Sequence, residues 1–225
     1  MPVLRQLPRW AWIGSAILAL IAGLVNAIGY LGFQHEPITN LTGNTTLLGI
    51  ALADFDQAQA IHWGLTIAAF ILGAATSGAI VQQTSLKLGR RYGAALGLES
   101  LLLFAAVPFL DASDPLGLYL ASMAMGLQNG MVSAYSGAVV RTSHVTGILT
   151  DLGIYLGHML RGIPVDRLRL SLCLMVVGPF VAGSIVGAWL FQRLGEHALL
   201  VPATLTGFTA LAYGAYLLST RQRHR

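Results

Sequence analysis

Only one cysteine occurs in the chain. Cys173 stands alone in the apolar run SLCLMVVGPF, so no intramolecular disulfide can form and no second thiol is on hand for a metal. Redox and zinc-thiolate chemistry drop out with it. Charge is scarce as well: 10% of the 225 residues are Asp, Glu, Lys or Arg, against 55% apolar. The apolar residues fall in runs too long for a soluble core helix, which makes a bilayer the expected solvent. The ten-residue apolar and polar alternation of barrel strands is missing too. Helices remain as the structure that satisfies every backbone group inside lipid. The fold class expected is therefore an all-α polytopic membrane protein, one transmembrane domain over residues 1–225 with no large soluble part.

The net charge of +4 does not argue for nucleic acid, because the basic residues sit in short clusters beside apolar runs, where positive-inside topology accounts for them. After Arg5 and Arg9 comes WAWIGSAILALIAGLVNAIGYLGF. It exceeds a signal-peptide core and reads as an anchor that stays.

Six runs have the length to cross a hydrocarbon core of about 30 Å: 10–33, 61–83, 91–110, 116–138, 169–192 and 197–218. Two more, NLTGNTTLLGIALAD and VTGILTDLGIYLGHML, are too short to cross untilted. If both crossed, the 13 basic residues would divide eight to five between the two sides; if both dip in and return, twelve lie on one side and only Arg193 on the other. The positive-inside rule favours six spans and two re-entrant segments, with both termini and the basic tail 219–225 cytoplasmic.

The short segments are also a repeat. LTGNTTLLG, from Leu41, is answered by VTGILTDLG, from Val145. Upstream, AGLVNAIGY is answered by MGLQNGMVS, which pairs Gly23 with Gly126 and Asn26 with Asn129. Downstream, FILGAATSGAIV is answered by PFVAGSIVGAWL. Residues 10–110 and 115–218 form two repeats of three spans each, an odd number, so they insert with inverted topology. Thr42–Gly43 and Thr146–Gly147 are the expected turning points, with the threonines as N-caps and the glycines letting the backbone turn. Two half-helix N-termini then face the midplane, where they suit an anion or an acceptor-rich polar solute.

The expected substrate site joins Thr42, Gly43, Asn44 and Thr45 to Thr146, Gly147, Thr150 and Asp151, with Asn26 and Asn129 lining it. Asp151 replaces Leu47 of the first half, and a first-turn carboxylate could equally serve the helix dipole or pair with Arg141 or His158. Glu99 lies about 12 Å along its span at the helical rise. Asp151 and Glu99 are the candidates for proton coupling. Gln128, with Asn26 and Asn129, is a mid-span amide of the kind that glues helices together. His158 suits a helix C-terminus. The spacings in GLQNG, GIYLG, GAALG and GSIVG read as packing seams.

The stretches AGLVNAIGYLGF, LTGNTTLLGIAL, GRRYGAALGLESLLL and MAMGLQNGMVSAYSGAVVRTSHVTGILTDLG resemble the YoaK family of bacterial membrane proteins, whose function is not established. The resemblance covers most of the chain. It implies a bacterial inner-membrane protein concerned with small-solute passage and names no substrate. Where similar sequences often carry Asp in the first span, this one has Asn26.

The leading expectation is a transporter or channel for a small polar or anionic solute, with the bilayer and the solute as partners, a homo-oligomer compatible with the pattern, and no catalytic residue, metal or cofactor assigned. An intramembrane serine-histidine enzyme using Ser133, Ser136, His144 or His158 is the rival from another class, although no nucleophile motif surrounds either serine. An assembly subunit is the third, resting only on the packing seams and the absence of large soluble domains.

Overall fold

The computed structural model describes residues 9–32, 38–81, 90–136 and 142–222, and the side chains of all but 9–11, 90, 135–136 and 218–222. Every regular element among them is helical. The order is α1 (Arg9–Gly32), α2 (Leu41–Ala53), α3 (Gln57–Ile80), α4 (Arg90–Asp111), α5 (Pro115–Ser136), α6 (Val145–Leu160), α7 (Arg167–Leu194) and α8 (Leu200–Gln222). A single 3-10 turn, Gly195–Leu199, joins the last two.

Local chemistry explains the boundaries. Asp56, Asp114 and Asp166 precede α3, α5 and α7, and their carboxylates accept from the amides of Gln59 (3.1 Å), Leu116 (2.8 Å) and Leu168 (3.0 Å). Each satisfies a first-turn donor and complements the helix dipole. Pro115 opens α5, where its missing N–H costs nothing.

Six long helices and two short ones match the runs read from the sequence, with ends shifted by a few residues; positions 33, 82–83, 137–138 and 223–225 lie outside the described residues. Among the described residues, four stretches are long and apolar enough to cross a membrane: Trp12–Gly32, Gln57–Ile80, Arg91–Asp111 and Arg167–Leu217, the last containing α7 and most of α8. α5, which carries Gln128 and Asn129, is not among the four.

The long helices pair crosswise: α1 lies on α7 and α3 on α5, while α4 packs between α5 and α8. Glycine makes the crossings. A Cβ on Gly23 of α1 would fall on the carbonyl of Phe180, and one on Gly183 would fall on that of Leu20. At the other crossing Gly126 meets Phe70 and Gly73 meets Met123 in the same way. Backbones this close bring many van der Waals contacts, the main source of helix association where lipid removes the hydrophobic drive. Of the four expected seams, GLQNG and GSIVG are confirmed. GIYLG is corrected: nothing lies within 4 Å of a Cβ on Gly153 or Gly157, because α6 sits on the outside of the bundle. In GAALG only Gly93 has a neighbour, the Tyr213 ring at 3.3 Å.

Each short helix begins beside the interior of the long helix before it. The Thr39 amide and hydroxyl both donate to Asn26 Oδ1, at 3.1 and 2.8 Å, six residues or about 9 Å before α1 ends. The Ser143 hydroxyl donates to Asn129 Oδ1 at 3.0 Å, seven residues before α5 ends. The chain thus doubles back along each long helix before the short one starts. The turn therefore precedes Thr-Gly, which corrects the N-cap expectation. The N-caps are Asn40 and His144, and Thr42 and Thr146 already sit within the first helical turn. A threonine there gains nothing from capping; instead Thr46 and Thr150 bond back to the carbonyls of Thr42 and Thr146, both at 3.0 Å.

Candidate functional site

A cavity of about 680 Å³ opens where the two short helices begin. Its walls are assembled from corresponding residues of the two repeats: Asn26 with Asn129, Tyr30 with Ser133, Thr39 with Ser143, Asn40 with His144, Leu41 with Val145, Thr42 with Thr146 and Phe70 with Phe180. Ala74 and Gly130 also line it. The size suits a small molecule, and among the described residues no Lys, Arg, Asp or Glu lines it.

The polar chemistry of the wall is biased toward donors. Asn26 and Asn129 use their carbonyl oxygens to hold Thr39 and Ser143; the Asn129 Nδ2 also donates to the Met125 carbonyl at 2.9 Å, which leaves it one N–H to offer beside the amide of Asn26. Both helix starts supply backbone donors as well. In α2, Asn40 Oδ1 takes the Gly43 amide at 3.2 Å and the Asn40 carbonyl takes that of Asn44 at 3.0 Å, leaving the amides of Leu41 and Thr42. In α6, His144 makes no side-chain cap, so the amide of Gly147 joins those of Val145 and Thr146.

Of the ten residues read as a site from the sequence, Asn26, Asn129, Thr42 and Thr146 line the cavity. Gly43 and Gly147 stand just behind the wall, packed under the side chains of Asn40 and His144. Asn44 is buried at 1% exposure, with its Oδ1 unpartnered. Thr45 is exposed and bonds to the Leu41 carbonyl at 2.7 Å. Thr150 and Asp151 are exposed on α6, away from the cavity, and no ion pair joins Asp151 to His158; Arg141 lies outside the described residues. The carbonyl of His158 accepts the amides of Arg161 and Ile163 at the end of α6. Ser133 and His144 both reach the cavity without a hydrogen bond between them, and the Ser136 side chain is outside the described set.

Thr39, Asn40 and Ser143 were missed, and His144 was read only for the enzyme rival, although extending the repeat two residues upstream aligns TNLTG with SHVTG and brings all four in. Phe70 and Phe180 match once the downstream pair is shifted by one residue to set Gly73 against Gly183.

The same stretches that build this cavity carry the family likeness. A family model described as "Protein of unknown function (DUF1275)" matches residues 14–212. The chain belongs to the DUF1275 family. Among relatives, it is 30% identical over 201 residues to the UPF0700 transmembrane protein RA0705 of Rhizobium meliloti (strain 1021), covering 87% of this chain and 84% of that one. It is 31% identical over 142 residues to the UPF0700 transmembrane protein YoaK of Bacillus subtilis (strain 168), covering 61% of this chain and 63%, under two thirds, of YoaK. The resemblance to the YoaK family thus holds. No solved structure matches the chain. With relatives named as transmembrane proteins and long apolar helices in the fold, this DUF1275 chain is a helical membrane protein.

Proposed function

We propose that this DUF1275 protein passes a small polar or anionic solute across the bacterial cytoplasmic membrane, as a transporter or channel whose site is the cavity between α2 and α6. In this reading the chain has six spans, two re-entrant half-helices, inverted repeats and cytoplasmic termini. The observation that carries it is one cavity onto which two helix N-termini open, lined by seven pairs of corresponding residues and, among the described residues, by no charged side chain. Broken backbone at membrane depth is tolerated where it lines such a cavity. The doubling back at Thr39 and Ser143 supports the re-entrant reading, and the twelve-to-one division of basic residues supports the orientation.

The solute meets Thr42 and Thr146, the amides of Asn26 and Asn129 and the free backbone N–H groups beside them. Gly43 and Gly147 keep those N–H groups approachable. Donors converging where no described wall residue carries a charge favour an anion or an acceptor-rich neutral solute. Asn44, Thr45, Thr150 and Asp151 support the helices rather than touch the solute.

Liposomes holding the purified protein test this by osmotic swelling in formate, nitrate, urea and ribose. We expect swelling above protein-free liposomes for at least one probe, and loss of most of it in Thr146→Trp, which fills the cavity, but not in Leu211→Trp, which faces outward. Swelling with no probe, or equal swelling in both variants, overturns the reading.

A further inference from the structure

Glu99 plays no part in the cavity wall, yet it is the most deeply placed charge-bearing side chain described: 0% exposed, with neither carboxylate oxygen partnered. The α4–α5 hairpin sets its level. Leu110 and Ala106 of α4 meet Gly117 of α5 just past the turn. From that contact the buried stripe of α4 runs back through Leu103 to Glu99, and that of α5 runs forward through Ala121 and Ala124 to Gln128. The spacings of the two stripes are identical, so Glu99 and Gln128 close them at one level. Gln128 is also 0% exposed, and its Oε1 is also unpartnered.

Three buried oxygens, two on a carboxyl and one on an amide, share this level. All accept and none donates unless the carboxyl holds a hydrogen. The other end of Gln128 is tied to the cavity. Its Nε2 donates to the Leu18 carbonyl and to the Thr142 hydroxyl, both at 2.9 Å. The Thr142 hydroxyl reaches Asn129 Oδ1 at 3.5 Å, and Ser143 shares that acceptor. The first repeat has no such branch, since Val25 and Ile38 stand where Gln128 and Thr142 do.

We propose that Glu99 and Gln128 form a buried site for one proton, and that its gain and loss move the cavity wall through Thr142, Asn129 and Ser143. The proposal rests on the cavity being the working site. The proton passes between water and the Glu99 carboxylate with no other bond made or broken. No Asp, Lys, Arg, His or second Glu occurs in residues 12–32 of α1, 115–134 of α5 or 200–217 of α8, whose titratable groups are Tyr30, Tyr119, Tyr213 and Tyr216. On α4 itself Arg90, Arg91, Tyr92 and Asp111 stand at the ends. Beyond them His62 lies on α3, and Glu196 and His197 on the 3-10 turn near Asp111.

The test needs no solute. Infrared spectra of the full chain in lipid nanodiscs, titrated from acid to alkaline pH, should show the carbonyl band of a neutral buried carboxyl that Glu99→Gln removes and Thr142→Val shifts. In a Cys173→Ser background, a cysteine replacing Thr146 reports the wall through its rate with N-ethylmaleimide. The ratio of that rate to the same rate in Glu99→Gln cancels the thiol's own titration. It should change by about fivefold across the pH range in which the band titrates. No band that depends on Glu99 overturns the proton site; a band unmoved by Thr142→Val, or a constant ratio, overturns the link to the cavity. The swelling assay fails or succeeds independently of all three.

Discussion

α2 and α6 start at matching points of the two repeats, but α2 buries Asn44 and Ala51 against its neighbours while no residue of α6 is buried. The anchoring differs in kind as well. α2 is held by a backbone amide and a hydroxyl of Thr39 on Asn26, and is capped by Asn40. α6 hangs from the hydroxyls of Thr142 and Ser143, and its cap residue His144 makes no side-chain bond. A backbone donor cannot swing away without moving the chain, whereas a hydroxyl can change partner by rotating. Few buried contacts and weak capping place a segment at the low end of local stability. The two halves thus share a plan and differ in stiffness, with α6 the softer wall of the cavity.

The comparison breaks first, and most severely, if the long helices are not equivalent. Gly23→Val and Gly126→Val should each cost about 3 kcal/mol or more, because the new Cβ lands on a carbonyl of the facing helix. Both should lose their monodisperse peak in detergent chromatography; tolerance of one alone would confine the symmetry to the sequence. The unequal anchoring is sharpened by a second pair. Asn26→Ala should cost about 2 kcal/mol and Asn129→Ala about 1 kcal/mol, since in the second case Gln128 still holds Thr142. Thermal unfolding measures both losses, and equal losses would erase the distinction between the short helices.

The smallest effect belongs to the turn between α7 and α8. Burial pushes the Glu196 carboxyl above the usual carboxylate range, Asp111 pushes it further the same way, and His197 opposes. A folded-state value above the unfolded one means that the native protein holds this proton more tightly. The contribution is full at acid pH and is lost as pH rises through the raised value. Between about pH 4 and about pH 7 the melting temperature of the natural protein should therefore fall more than that of Glu196→Gln. Parallel curves would remove the turn as a source of pH dependence and leave Glu99 to account for any that remains.

The helical fold class and the long apolar runs were legible in the sequence. Each helix closes its own backbone hydrogen bonds, so a long apolar run in lipid settles the element locally, and Gly23 with Gly126 and Asn26 with Asn129 mark the correspondence. The cavity was half legible: the Thr-Gly segments pointed to it, while Asp151 belonged to the outer surface and the caps lay upstream at Asn40 and His144. Only the tertiary structure decided which way Asp151 turns, or that Glu99 and Gln128 close facing buried stripes at one level. Those outcomes depend on how far each helix is rotated about its axis, which is set for α4 where Leu110 meets Gly117 and Ser100 bonds the Ala203 carbonyl, and at the start of α6 where Ser143 bonds Asn129, contacts between separate elements.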